Sequence, residues 1–446
     1  LGETYRFADI KTVLARANEL KSGDQLAGVA ARDPKERVAA KIVLSGLTLH
    51  DLRENPVVPY DQDEVTRAVE DNLDQDAFAH IAGWTVAELR EWILDTRTSG
   101  DDLLALSPAL TPEIIAACAK LMSNLDLALA AKKIHVVVVA NATLGLPGRM
   151  SFRLQPNHPT DAPEAIIAST RDGLVYGTGD AVIGINPATD TVESTCELLK
   201  VVKDHMERWG CPTQNCLLSH VTIQMDALKR RAPMDLMFQS LCGSEKGMTA
   251  FGVSIPLLDE ASAMIQELGT ARGPNRMYFE TGQGSALSSD AHHGADQQTL
   301  EVRNYTLARR WKPYLVNTVV GFIGPEYLYN GPQITRAGLE DVFAGKLAGL
   351  PMGCDVCYTN HARCDQNELE NLAVILSAAG CAFFMGMPLG DDIMLNYQST
   401  SFHDNASVRA IHGYRPTPEF EAWMEKMGLL RDGQPTARFG DPSVLK

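Results

Sequence analysis

Positive charge is what this sequence is shortest of. Its 446 residues hold 40 Lys and Arg against 56 Asp and Glu, a formal net charge of −16. A broad nucleic-acid surface needs a basic face, so that class is set aside, while an acidic balance is compatible with a cationic substrate. No apolar run reaches the ~20 residues of a membrane helix, and no charged-then-apolar leader opens the chain. The nine Cys are odd in number and scattered from Cys118 to Cys381, which reads as free thiols in a reduced, cytoplasmic protein. There is no fixed-period repeat and no low-complexity tract. With 45% apolar and 22% charged residues, the composition is that of a globular chain long enough to bury a large core.

Familiar signatures are also missing. Gly345-Lys346 is followed by Leu347, so no P-loop forms. Gly177/Gly179 and Gly282/Gly284 lack the third glycine of a dinucleotide fingerprint. There is no H-E-x-x-H and no H-x-H. Asp290, His292 and Gly294 fall one residue short of the D-x-H-x-x-G loop that supplies histidine to cobalt in some B12 proteins. Cys354-x-x-Cys357 with His361 and Cys364 offers a zinc-like count. The first pair lies on an apolar run whose successive side chains point to opposite faces, so these cysteines read as core or free thiols. His361 and His403 read as structural histidines.

Residues 1–130 read as an α-helical N-terminal region. Ile10, Val13, Leu14 and Leu20 have helical spacing between Phe7 and Leu20. Thr85 with Glu88 makes a capping-box pattern, and Pro112 suits a helix start. From Lys133 the pattern changes to short apolar runs alternating with helical stretches. The runs are His135–Ala140, Ala181–Ile185, Cys216–Val221, Leu236–Leu241, Met277–Glu280, Leu315–Gly321, Met352–Cys357 and Ala382–Met387. Strands apolar throughout suit a sheet buried on both faces, and eight strand–helix units suit a closed (β/α)8 barrel over 131–400. An open doubly wound sheet is the alternative. Residues 401–446 read as a C-terminal extension with a helix near Pro418–Met427.

A barrel places its active site at the C-terminal ends of its strands. Arg153 and Gln155 fall on a long loop after the first run, with Asn157 close by. Asn186-Pro187 follows the second run, and Gln239 and Ser240 sit at the fourth. Glu280 ends the fifth, Asp355 lies in the seventh, and Asp391, Asp392 and Met394 follow the eighth. A carboxylate inside an apolar strand is costly unless paired. Two facing one pocket would repel, and an ammonium between them would resolve the conflict. The other reading is a structural pair, with either carboxylate bonded to Arg153 or to backbone N–H groups. The residues alone leave both open. Met394, Ser240 and Ser288 carry little by themselves.

Several of these segments resemble one family. They are AGVAA at 27–31, GDAVIGINP at 179–187, FQSLCGSEK at 238–246, YFETGQGSAL at 278–287, NTVVGFIGPE at 317–326 and MGMPLGDD at 385–392. They look like the large subunit of ethanolamine ammonia-lyase, along nearly the whole chain. The resemblance implies a (β/α)8 barrel and an adenosylcobalamin-dependent radical lyase that converts ethanolamine to acetaldehyde and ammonia. It implies a substrate pocket of Arg153, Gln155, Asn186, Glu280 and Asp355 lined by Phe322, with Arg153, Glu280 and Asp355 in the chemistry. It places Pro187, Gln239, Ser240, Ser288 and Met394 near the cofactor, with no protein ligand to the cobalt. It also implies a separate small subunit and self-association of large subunits. Some family members are housed in bacterial microcompartments. On the residues alone, two other classes stay open: a metal-dependent barrel hydrolase or lyase, and a non-catalytic corrinoid- or amine-binding subunit.

Overall fold

The structure, a computed structural model, describes residues 2–321 and 323–446. The N-terminal region is a set of short helices, most closed by a polar side chain at the first turn. Thr85 and Glu88 form the expected reciprocal capping box. Thr111 caps a helix that starts on Pro112. That helix, Pro112–Lys120, is buried along its whole length and packs on the equally buried helix Gln297–Ala308 of the barrel layer. Leu20, expected within the first helix, lies beyond its end at Ala17 and is exposed. No described helix is long and apolar enough to cross a membrane.

Eight parallel strands form the barrel: β1 Ser151–Leu154, β2 Val182–Ile185, β3 Asn215–Leu217, β4 Met237–Ser240, β5 Met277–Thr281, β6 Leu315–Val319, β7 Met352–Asp355 and β8 Phe383–Gly386. They pair in the order β3-β2-β1-β8-β7-β6-β5-β4. The ends of that row meet, because the Leu236 N–H donates to the Asn215 carbonyl at 3.1 Å. Asn215 and Asp235 exchange two further bonds across the same seam, at 2.9 and 3.0 Å. Helices follow the strands on the outside, as the helical stretches predict.

Seven of the eight predicted runs contain barrel strands; the first does not. Val138–Val139 pairs antiparallel with Thr143–Leu144 in a small hairpin. Val138, Ala140 and Leu144 enter the barrel's inner core, and the hairpin accepts bonds from Gly273 and Asn275 just before β5. It therefore plugs the N-terminal end of the barrel. The run alternates buried and exposed residues, as a one-sided strand does, whereas Ser151–Leu154 is buried throughout. Arg153 is consequently in β1 itself, with Gln155 just beyond it, and the long loop expected there is absent.

Strand alternation sorts the side chains. Val182, Cys216, Leu236, Tyr278, Leu315 and Phe383 fill the barrel interior. Ile183, Leu217, Met237, Phe279, Val316, Cys354 and Phe384 join the outer core under the helices. Cys354 and Cys357 thus lie on opposite faces of the wall. Continuing the inward rows in steps of two reaches Arg153 on β1 and Gln155 just beyond it, Asn186 after β2, Glu280 on β5, Asn317 on β6 and Asp355 on β7.

Candidate active site

Arg153 is the hub of the inner cluster. It is 2% exposed, and its Nη1 donates to Glu280 Oε1 at 2.7 Å and to the Tyr278 hydroxyl at 2.9 Å. Its Nη2 donates to Asn186 Oδ1 at 2.6 Å. Tyr278, two residues before Glu280 and so on the same face of β5, donates its own proton to Glu280 at 2.6 Å. The Arg153–Glu280 pair left open by the sequence is therefore formed. Burial alone works against the guanidinium charge, but Tyr278 and Glu280 reverse that and hold it firmly protonated. Gly184 makes the approach possible: a Cβ there would sit 2.7 Å from Arg153 Nε.

Asp355 is held separately. A three-stranded sheet of Tyr358–Thr359, Tyr397–Gln398 and Asp391–Asp392 brings Tyr397 and Ser399 to it. Ser399 donates to Asp355 Oδ1 at 2.6 Å and Tyr397 to Oδ2 at 3.0 Å. Burial pushes the Asp355 carboxyl up to about 6, the Ser399 bond restrains the rise, and the Glu280 charge adds to it. The Tyr397 oxygen also accepts from Gln155 Nε2 at 3.0 Å. Gln155 donates to Asp392 at 2.6 Å, and Asn157 joins the same carboxylate at 2.7 Å. Asn157 in turn accepts from the Asn186 backbone at 2.8 Å.

Three buried polar atoms in this cluster have no partner among the described residues: Arg153 Nε, Gln155 Oε1 and Asn317 Oδ1. Buried polar groups are nearly always paired, and leaving one unpaired costs about 1–3 kcal/mol. Unfilled acceptors beside two carboxylates are a donor-shaped gap.

A cavity of about 220 Å3 opens beside Glu280. It is lined by Ser240, Ser285 and Ser288 with apolar Leu241, Phe251, Val319 and Ile323. The Ser285 and Ser288 hydroxyl groups donate to the Gly282 and Ser285 carbonyls and keep their oxygens as acceptors. The structure thus brings Ser240 and Ser288 together with Glu280. Gln239 points to the helix side of β4. Its Oε1 accepts from the Val221 N–H at 3.1 Å and its Nε2 donates to the Ser240 carbonyl at 3.2 Å, so it braces Ser240 from behind. Pro187 and Met394 are half-buried on loops after β2 and β8. Phe322 lies outside the described residues. His361 and His403 are exposed rather than in the core, the second resting against the Tyr176 ring.

Tyr278, Asn317, Tyr397 and Ser399 were not singled out from the sequence. The first two follow from alternation, since Tyr278 shares a face with Glu280 and Asn317 is its register partner on β6. Tyr397 and Ser399 lie 42 and 44 residues beyond Asp355, and no local pattern links them.

Against known proteins, the family model described as ethanolamine ammonia lyase large subunit (EutB) matches residues 5–438. The ethanolamine ammonia-lyase large subunit of Escherichia coli (strain K12) is 55% identical over 444 residues, covering 100% of this chain and 98% of that protein. The protein of the same name from Salmonella typhimurium (strain LT2) is 56% identical with the same coverage.

Proposed function

The chain belongs to the ethanolamine ammonia-lyase large-subunit family, and on that premise we propose that it binds ethanolamine inside the barrel and converts it to acetaldehyde and ammonia with adenosylcobalamin. The observation that carries the reading is the pair of inward carboxylates, Glu280 and Asp355, set among unfilled acceptors and one bound guanidinium. An ammonium brings three N–H donors and a positive charge, which is what this gap is short of.

Glu280 and Asp355 hold the ammonium of ethanolamine. Asn186 and Arg153 position its hydroxyl group: the Asn186 carbonyl is spent on Arg153, which leaves its amide N–H groups to donate. Gln155, fixed by Asp392 and Tyr397 through its nitrogen, turns its free oxygen to the substrate and bridges its two ends. With the amine and hydroxyl groups pinned at separate points, the two carbons between them have one orientation. The Arg153 charge next to the hydroxyl oxygen favours electron density building there as the C–N bond weakens. Glu280 and Asp355 keep the departing nitrogen in a charged pocket, and the surrounding Met385 and Tyr278 exclude water.

Adenosylcobalamin, when bound, supplies the radical that takes hydrogen from the hydroxyl-bearing carbon. The cavity beside Glu280 fits its nucleoside part, with apolar walls for a flat base and serine hydroxyl groups for a ribose. Ser240 and Ser288 would hold that part, Gln239 would keep Ser240 in place, and Pro187 and Met394 would meet the group from the opposite rim. Leu389 and Ile393 stand exposed on the same rim. Such apolar side chains suit burial under a bound group and a small subunit, the partner that the relatives' name implies. We place the assembly in the cytoplasm, with large subunits associating through further copies.

The test is acetaldehyde release from ethanolamine and adenosylcobalamin in the dark, with and without a co-expressed small subunit. Release with both subunits and not with the large one alone is expected. No release from a verified, cobalamin-loaded complex would overturn the reading and favour a binding subunit.

A further inference from the structure

Asn317 has no assigned part in the site, yet it sits in the most charged layer of the barrel. It lies on β6, paired in register with Glu280 on β5 and with Gly353, two residues before Asp355, on β7. The strand that carries it therefore runs between the strands that carry the two carboxylates. Its neighbours two residues either way, Leu315 and Val319, belong to the inner core, so its side chain enters the barrel interior. It is fully buried.

The amide is half used. Nδ2 donates to Glu280 Oε1 at 3.4 Å. Oδ1 has no partner among the described residues. The orientation is settled by that neighbour: turned over, the amide would set its oxygen against a carboxylate oxygen, two acceptors with no proton between them. The unpaired atom is thus a buried acceptor, on a strand that runs between those bearing Glu280 and Asp355. Glu280 does not need Asn317 to stay in place, because Arg153 and Tyr278 hold it at 2.7 and 2.6 Å.

Resting on the ethanolamine reading above, we infer that Asn317 is a third ligand of the substrate ammonium, accepting one N–H through Oδ1 between Glu280 and Asp355. The count then closes. Three N–H donors point to Glu280, Asp355 and Asn317, and Gln155 Oε1 accepts the hydroxyl proton, its bridge to the ammonium being a shared contact with one of those N–H groups. A neutral acceptor at this place has a consequence that a third carboxylate would not. It satisfies the last N–H without adding a charge that would repel Glu280 and bind the leaving ammonia too tightly. Asn317 also gives selectivity for a primary amine, because each N–H has its own partner and a substituent on nitrogen would strand a buried acceptor.

The test uses the complex of large and small subunits with two probes that each keep one end of the substrate, n-propylamine and 1-propanol. Their dissociation constants are measured by NMR titration for wild type, Asn317→Ala and Asn317→Ser. In Asn317→Ala, propylamine is expected to weaken by about tenfold or more, the loss of one charge-assisted hydrogen bond, while propanol is unchanged. Asn317→Ser keeps a shorter acceptor and should lose less; if the alanine variant does not fold, an amine-selective loss in the serine variant supports the inference. Equal weakening of both probes would show a packing role and overturn it, as would no change in either. Failure of the lyase reading is separable: the wild-type complex would then release no acetaldehyde and bind neither probe.

Discussion

Arg153 and Arg303 are both buried in this chain and both paired with carboxylates, but they are finished differently. Arg303 stands on the helix Gln297–Ala308 and reaches the N-terminal region. Its Nη2 donates to Asp63 at 2.6 Å and to Thr66 at 2.8 Å, its Nη1 to Glu113 at 3.4 Å, and its Nε to the Gly243 carbonyl. Asp63 also caps the helix Glu64–Glu70 and accepts from the Glu245 backbone, and Glu113 accepts from the Val57 backbone. None of these side chains has an unpaired buried atom among the described residues. Arg153 keeps an unpaired Nε, sits beside two unfilled acceptors, and its partner Glu280 opens on a cavity. The first cluster is complete as folded and ties the helical region to the barrel. The second keeps unmet acceptors beside two carboxylates, as a site for a cationic ligand should.

That contrast can be broken most forcefully at Asp63. Asp63→Ala leaves the buried Arg303 charge with only the longer Glu113 carboxylate contact at 3.4 Å, and breaking a buried pair should cost about 3–5 kcal/mol of stability in a denaturant titration. The kcat/KM of the folded fraction should stay as it was. Glu280→Gln should strike activity instead. It keeps the shape but removes the negative charge that faces the ligand, raising KM and lowering kcat by more than tenfold, at ~1.4 kcal/mol per decade, and, because Arg153 loses its paired carboxylate, it also lowers the unfolding midpoint. Unchanged kinetics would remove Glu280 from the site.

Acid sharpens the comparison through Asp355. Its folded carboxyl sits at about 6, above the ordinary 3.8. Between those values the folded protein takes up a proton that the unfolded chain does not. Asp355 therefore adds stability as pH falls from about 6 toward 3.8, and it opposes folding above that window. Activity should move the other way, because a neutral Asp355 loses its hold on the ammonium. The pH profile of kcat/KM should decline below about 6, and Asp355→Asn should lower activity and remove that limb. The mildest change is Gly184→Ala. Its Cβ would meet Arg153 Nε at 2.7 Å. Such overpacking typically costs about 1–3 kcal/mol, and here it displaces the guanidinium, so a several-fold fall in kcat/KM should accompany a small loss of stability.

The barrel was legible because seven of its strands are apolar on both faces and are punctuated by helical stretches. The eighth was misread for a physical reason. β1 carries Arg153 in its middle, so it does not look like a core strand, while the plug hairpin before it does. The strand that bears the central residue of the site is the one that composition hides. Asn186, Glu280 and Asp355 could be singled out as candidates because they lie at or near the ends of strands the pattern shows, whereas Arg153 and Gln155 were singled out on an expected loop and in the structure lie on and just beyond β1. The brace of Tyr397 and Ser399 could not, since it arrives from a loop that folds back over the mouth. Arg303, which was not singled out from the sequence, centres a second buried arginine cluster. Only the hydrogen-bond inventory of the folded chain separates the completed one from the open one.

The most direct test of that distinction is the ethanolamine-induced shift in melting temperature of the two-subunit complex, compared in wild type, Glu280→Gln and a milder outer variant, Asp63→Asn. A ligand that binds the folded state alone stabilises it by about 2.7 kcal/mol at a hundredfold excess over Kd. The shift should be present in wild type, survive in Asp63→Asn despite its lower starting temperature, and fall to about half or less in Glu280→Gln at the same ethanolamine concentration. A shift retained in full in Glu280→Gln, or lost in Asp63→Asn while its fold persists, would contradict the assignment of the inner cluster to substrate and the outer one to structure.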